Sequence, residues 1–344
     1  MTEARFTVRA CGPLVSYQDG GRPGMMRFGV AASGPMDRLA HAAAQAALGQ
    51  PQGATALEVS LGGLELACDA GEVSFSVTGG EFQVVHAGAI VKSGCVRTIR
   101  AGETLAIRPG RWGSWAYLAF CGELACRPWA GRAATHSTSG LGGGLLASGS
   151  TIVVRESAVC EEREGELAAP AFTPAQPRVR VVLGPQTEHF EAGGVERLLA
   201  EDYSVSPACD RMGMRLEGPA LPLRQALSIP SEPIVRGSIQ VNGEGVASIL
   251  LADHQTTGGY PKIATVVSCD LDAVAQRRPR DVLRFEAVEA PQAVALARAH
   301  AAAVRAFLSG VGQRRGTLLE RLLGNNLVSG MIRAERSDNQ DGPA

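Results

Sequence analysis

The chain has 344 residues, 45% of them hydrophobic and 19% charged. At roughly 100 to 200 residues per domain this predicts two compact units with ample apolar side chain to bury, and it excludes a disordered chain. Lys plus Arg (33) offset Asp plus Glu (34), for a formal charge of -1, and no basic block offers the footprint that nucleic acid or an anionic membrane needs.

The start, MTEARFTVRACGP, has no positively charged region followed by an apolar stretch, and no run of about 18 uncharged apolar residues occurs. A cytoplasmic location without membrane or nucleic-acid partners is expected. Forty-two glycines and 5% aromatics favour short strands and tight turns, so a mainly β class is expected. After the Gly-rich stretch Ser16 to Asp37, DRLAHAAAQAAL (Asp37 to Leu48) reads as a helix that stops at Gly49 and Pro51. EVSFSVTGG from Glu72 alternates apolar and polar residues as a half-buried strand does. WAYLAFCGE (Trp115 to Glu123) and STIVVRE (Ser150 to Glu156) read similarly.

Beyond Glu156, SAVCEEREGELAAPAFTPAQPR is charged and rich in Pro and Ala, without an apolar period, as exposed connectors are. The expected division is a β-rich unit over 1–156, a linker over 157–178, a second β-rich unit over 179–310 and a tail over 311–344. Short apolar runs in the second unit (VRVVLG, GSIQV, VASILLAD, ATVVS, VLRFEAV) predict its strands. Helices are expected at VERLLAED near Val195, at DLDAVAQR with Asp270 capping its own first turn, and from Pro291 to Leu308. In the tail, LLERLLGNNLVSGMI is apolar enough to pack against a domain and ERSDNQDGPA is polar enough to fray.

The eight cysteines lack a C-x-x-C pair and read mostly as small buried hydrophobes. The six histidines show no close ligand spacing, so no metal site is expected, and His254 is the one worth testing. Neither G-x-x-x-x-G-K-[ST] nor G-x-S-x-G occurs, which disfavours a P-loop NTPase and a nucleophile-elbow hydrolase.

Three polar, glycine-framed clusters remain. SYQDGGRPGMMRFGVAASGPMD holds Gln18, Asp19 and Arg22, either as a ligand loop or as a turn in which Asp19 and Arg22 pair locally. CDRMGMRLEGP offers Arg211 as a fork for a carboxylate or phosphate, unless Asp210 and Glu217 hold its two arginines in a hairpin. LADHQTTGGYPK gathers Gln255, Thr256, Thr257, Gly258, Gly259, Tyr260 and Lys262 at a strand end, as an anion or amide site or as an ordinary turn. Lys262 is one of two lysines against thirty-one arginines, so a lysine there departs from the chain's habit and suits phosphate contact or proton transfer.

In order, QDGGRPG with SGPMD, LEVSLGG, DRMGMRLEGP, SEPIVRGSIQV and DHQTTGGYPKIATVVSCDLDAVAQ closely resemble the KipA family. This is the carboxyltransferase-domain subunit 2 family, which includes the C subunit of 5-oxoprolinase and part of urea carboxylase. The resemblance implies two β-barrel-like halves, the second similar to cyclophilin. It also implies two partners, one KipI-like and one LamB/YcsF-like, and ATP-dependent opening of 5-oxoproline to glutamate. The alternatives it implies are carboxyl transfer to urea or a related amide from carboxybiotin on another chain, or a non-catalytic regulatory partner of a KipI-like protein.

Either chemistry must hold a small amide and stabilise negative charge with fixed donors. On the resemblance, Arg211 would recognise an anion and Gln240 and Gln255 the amide. Thr256, Thr257, Gly258 and Gly259 would donate to developing charge, with Tyr260 or Lys262 as proton donor, while Gln18, Asp19 and Arg22 would close the site. Departures from the family pattern are His254 where Arg is common, Asn242 where Pro is common, RPRD (Arg278 to Asp281) and CGELACRPWAGRAATHSTSG.

Overall fold

The structure is a computed structural model that describes residues 2–170, 178–224, 229–314 and 316. The period-two segments of the first half pair into a seven-stranded and a six-stranded sheet. In the first, Glu3–Cys11 lies between Thr151–Arg155 and Leu64–Ala70; in the second, Glu72–Gly79 lies between Cys95–Arg100 and Ala116–Phe120. Phe6 and Phe120, with ring centroids 5.1 Å apart, join the inner faces of the two sheets in one core.

Glu72–Gly79 is the expected strand, but both of its faces are buried rather than one. Val73, Phe75 and Val77 enter the core, while Ser74, Ser76 and Thr78 lie beneath helix α1 (Arg38–Leu48) or against the next strand. Ser76 Oγ donates to the Ala44 carbonyl at 2.7 Å and Thr78 Oγ1 to that of Ala40 at 2.7 Å. The alanines of α1 let it come this close, and the hydroxyls find the partners a buried polar group needs. Asp37 caps α1 by accepting from the Ala40 amide at 2.8 Å, and Gly49 ends it at φ 69°.

The second half is a closed barrel with the order Arg178–Leu183, Lys262–Val266, Ser238–Val241, Ala247–Leu250, Gly213–Glu217, Tyr203–Cys209 and Val282–Ala287. The parallel pairing of the last strand with the first closes it, and Val181, Val205, Met214, Ile239, Ile249, Ile263 and Leu283 fill the interior. Helices α2 (Gly194–Ala200), α3 (Leu271–Ala275) and α4 (Ala290–Val311) complete the described part. The expected mainly β class is therefore present, with the closed barrel in the second half.

Three local expectations change. The segment after Glu156 is not a free connector: Gly165–Glu166 adds to the edge of the six-stranded sheet, and Cys160 Sγ lies 2.8 Å from Cys121 Sγ, so the first unit continues to about residue 166. Asp270 precedes α3 without capping it, because its carboxylate accepts from the Arg180 amide at 2.8 Å and from Arg180 Nε at 3.0 Å. Helix α4 outruns the predicted range at both ends, with Pro291 in its first turn as expected. By length and composition α4 is apolar enough to cross a membrane; it carries Arg298 and Arg305, lies along α1, and buries Leu308 and Val311. The tail segments LLERLLGNNLVSGMI and ERSDNQDGPA lie outside the described residues.

Candidate active site

The two halves meet over a buried polar network built around Arg211. The side chain is 0% exposed. Its Nε and Nη2 grip both oxygens of Asp253 at 2.9 Å each, Nη2 also donates to the Gly34 carbonyl at 2.7 Å, and Nη1 binds Glu58. Glu58 accepts in turn from Tyr117 Oη at 2.7 Å and the Met36 amide at 2.8 Å. Burial pushes the Asp253 carboxyl up, but Arg211 and the Ser137 amide outweigh it and hold the group below its ordinary value. Glu58 belongs to the first half and Asp253 to the barrel, so one guanidinium joins both.

Further contacts fix the same interface. Gln276 accepts from the Ser114 and Trp115 amides at 2.9 and 3.0 Å and donates to Asp37 at 2.8 Å. Asp272 accepts from the Arg38 and Leu39 amides at 3.1 and 3.2 Å, placing a barrel carboxylate on the first turn of α1. Arg236 donates to the Pro35 carbonyl at 3.0 Å and to that of Met36.

Beside this network a cleft of about 320 Å³ opens between the halves, lined by Arg22, Trp129, His136, Ser139, Met212, Gln255 and Thr256 among others. Arg22 reaches it from a loop folded back on itself: Gly21 and Gly34 adopt φ 76° and 85°, and a Cβ on Gly34 would lie 3.2 Å from the Gly21 backbone. The Arg22 guanidinium stacks 5.1 Å from the Trp129 ring centre and donates from Nη2 to the Ala134 carbonyl at 2.5 Å. Burial lowers its pKa, against the pull of Asp19 and Asp253. His136 Nδ1 accepts from the Ser139 amide at 3.2 Å, which leaves the proton on Nε2 to donate to the Asp253 carbonyl at 3.3 Å.

The sequence-derived residues divide. Arg22, Gln255 and Thr256 share the cleft. Arg211 lies under it, and with four hydrogen bonds to protein partners it has no fork to offer a substrate. Asp210 and Glu217 do not hold it either: Asp210 accepts from the Met212 and Gly213 amides. Gln18 and Asp19 are braces. Gln18 Nε2 donates to the Thr135 carbonyl at 3.0 Å, and Asp19 accepts from the amides of Gly21, Ala133 and Ala134 rather than from Arg22.

The end of the third cluster also leaves the cleft, because Thr257–Gly258 pairs with Glu232–Pro233 and the Gly259 carbonyl accepts from the Ile229 amide at 2.7 Å. Tyr260 is 47% exposed, and its carbonyl accepts from Gln240 Nε2 at 3.4 Å. Lys262 Nζ binds Glu232 at 3.1 Å. None of these lines the cleft, so Thr257, Tyr260, Lys262, Gln240, Gly258 and Gly259 form a second polar patch rather than one site with Arg22. His254 is buried, with Nδ1 2.6 Å from the Gln255 carbonyl, and the histidine at the cleft is His136. Sequence reasoning missed Trp129 and His136, although both stand in the divergent stretch CGELACRPWAGRAATHSTSG.

The carboxyltransferase domain, subdomain A and B, matches residues 28–287, a span that contains both halves of the cleft except Arg22. The chain belongs to this family. Among curated proteins it is 32% identical to the C subunit of 5-oxoprolinase from Haemophilus influenzae over 82% of this chain and 91% of that one. It is 28% identical to the C subunit of 5-oxoprolinase from Escherichia coli, over 77% and 85%. It is 25% identical to urea amidolyase of Lachancea kluyveri, over 81% of this chain and 17% of that protein. Among solved structures, TTHA0988 superposes with a TM-score of 0.73 at 29% identity; the match covers 82% of this chain and 56% of TTHA0988. The Kluyveromyces lactis urea carboxylase shares the fold, with a TM-score of 0.78 at 22% identity over 91% of this chain and 30% of that one.

Proposed function

We propose that the chain is the C subunit of an ATP-dependent 5-oxoprolinase, an amide-opening hydrolase of the cytoplasm that converts 5-oxoproline to glutamate. It would work with KipI-like and LamB/YcsF-like partner subunits, and would be inactive alone. The observation that carries this reading is the 32% identity that runs over 91% of a protein named as the C subunit of 5-oxoprolinase.

The cleft suits such a substrate. 5-Oxoproline is a small lactam with one carboxylate, and Arg22 is the guanidinium at hand for that carboxylate. The Gln255 amide and Thr256 hydroxyl would pair with the lactam N–H and C=O, and Trp129 would cover the ring. Donors fixed at the carbonyl would stabilise the oxyanion that forms when water adds to the carbonyl carbon, before the C–N bond breaks and its nitrogen takes up a proton.

ATP supplies the driving force in the complex. The cleft offers it one guanidinium, already bonded to the Ala134 carbonyl, and no phosphate-binding glycine loop. That donor set does not fit a triphosphate, so the nucleotide is assigned to one of the partners and no phosphoryl step to this chain. The second reading, a carboxyltransferase for urea fed by carboxybiotin on another chain, draws on the urea amidolyase similarity and would use the same cleft.

The test is to mix the purified chain with its two partner subunits and 5-oxoproline. Glutamate release that needs ATP and all three chains is expected. Turnover of urea only when carboxybiotin is supplied would replace this function with the second one.

A further inference from the structure

Arg22 also lines a second cavity, of about 650 Å³, between the loop at 20–35, helix α1 and helix α4. Two residues on its wall carry a buried polar atom without a hydrogen-bond partner, Arg22 Nε and Ser33 Oγ, with the buried His41 beside them. These residues are only 2%, 8% and 3% exposed. Native interiors pair nearly all such atoms, so these two mark unmet hydrogen-bonding capacity beside the cavity.

The charge around the cavity says what that partner is. Arg22, Arg38 and Arg305 line it against a single carboxylate, Asp272, whose oxygens already accept from the Arg38 and Leu39 amides. Arg38 and Arg305 form no ion pair among the described residues. His41 adds no charge near neutrality, since burial lowers its pKa to about 4 against the pull of the Gln18 carbonyl and Asp19. Ser33 holds φ 52°, a left-handed conformation costly for a residue with a Cβ, and Arg22 fixes it by donating its amide to the Ala32 carbonyl at 2.7 Å.

We infer that this cavity binds a small metabolite through an oxyanion head group, a phosphate or a carboxylate, held by Arg22, Ser33 and Arg305. This site shares Arg22 with the substrate cleft but is otherwise walled by other residues, and it stands whether or not the complex opens 5-oxoproline.

Isothermal titration of the full chain with inorganic phosphate, and separately with glutamate, tests it. One of the two should bind with one-to-one stoichiometry at millimolar affinity or better, and the preferred one names the head group. Arg305→Gln, on an exposed helical face, and Ser33→Gly, which deletes the hydroxyl and relieves the backbone, should each weaken it roughly tenfold. Thr256→Val, in the other cleft, should leave the phosphate affinity unchanged. The inference falls if neither anion binds at about 10 mM, or if Arg305→Gln and Ser33→Gly leave the affinity within about twofold. It falls equally if Thr256→Val alone abolishes binding, since the anion then sits in the substrate cleft.

Discussion

Replacing Arg211 by methionine keeps an unbranched side chain and removes the cation. Four hydrogen bonds disappear, and two carboxylates, Glu58 and Asp253, each 0% exposed, face one another without a counter-charge. Removing one member of a buried ion pair costs about 3–5 kcal/mol, and because both carboxylates depend on this guanidinium the upper end is expected. At about 2–4 °C per kcal/mol, the melting temperature should fall by roughly 10–20 °C. Tryptophan fluorescence would follow the melt, with Glu58→Gln and Asp253→Asn added to the Arg211→Met background. Those additions neutralise the stranded charges and should recover at least about 2 kcal/mol.

The pH dependence separates charge from packing. In the native chain the Asp253 pKa is depressed, so its stabilisation is present above the unfolded value near 3.8 and lost as pH falls through the folded one. In Arg211→Met the Asp253 carboxyl loses the cation that holds its pKa down and keeps the burial that raises it, so stability should rise as pH drops from about 7 to about 5. A variant that melts like the parent but no longer binds substrate would refute this role and make Arg211 the anion receptor after all.

In the assembled complex, Arg22→Met and Thr256→Val should each lower kcat/KM by about 100-fold without loss of assembly by size-exclusion chromatography. Lys262→Ala removes only the partly exposed pair with Glu232 and should cost less than about 1 kcal/mol, with turnover within about threefold of the parent. Burial, followed by the neighbouring Asp272, raises the Asp37 pKa to about 7. Its contribution is therefore complete below the unfolded value near 3.8 and is lost as pH rises through about 7, a slope that Asp37→Asn should flatten in urea melts. Gln276→Ala strands the Ser114 and Trp115 amides and should destabilise by about 2–3 kcal/mol, measured by the same melts.

The strands were legible because period-two alternation survives whatever covers the outer face. What covers it was not, since Ser74, Ser76 and Thr78 bond equally well to water or to α1, and only the fold brings the Ala40 and Ala44 carbonyls within reach. The site was harder for a related reason. Arg22 and Arg211 look alike in their glycine-framed loops, yet the partners that bury Arg211 stand 153 and 42 positions away along the chain. The third cluster reads as one unit, but the pairing of Thr257–Gly258 with Glu232–Pro233 turns the chain after Thr256 and carries Tyr260 and Lys262 elsewhere. Trp129 and His136 lie in a segment with almost no regular structure, where no periodicity singles them out.

Polarity in a loop therefore does not distinguish a binding residue from a brace. An irregular segment exposes its own backbone amides and carbonyls, and buried loops recruit polar side chains to pair them. Gln18 and Asp19 do this for the chain at 133–135, and a sequence holding them looks as rich in chemistry as one holding a site. The distinction lies in capacity left over at a cavity: Gln18 Oε1 is unpaired too, but Gln18 lines neither cavity. Arg211 has four donated bonds and lines neither of the two cavities described, whereas Arg22 keeps Nε unpaired and lines both. If leftover capacity is the right criterion, Arg22→Lys should impair both cavities even though charge is retained, because an ammonium cannot keep the Ala134 contact and the Trp129 stack while presenting a further N–H. Parent-like phosphate or glutamate binding and parent-like turnover in that variant would show that charge alone suffices at this position.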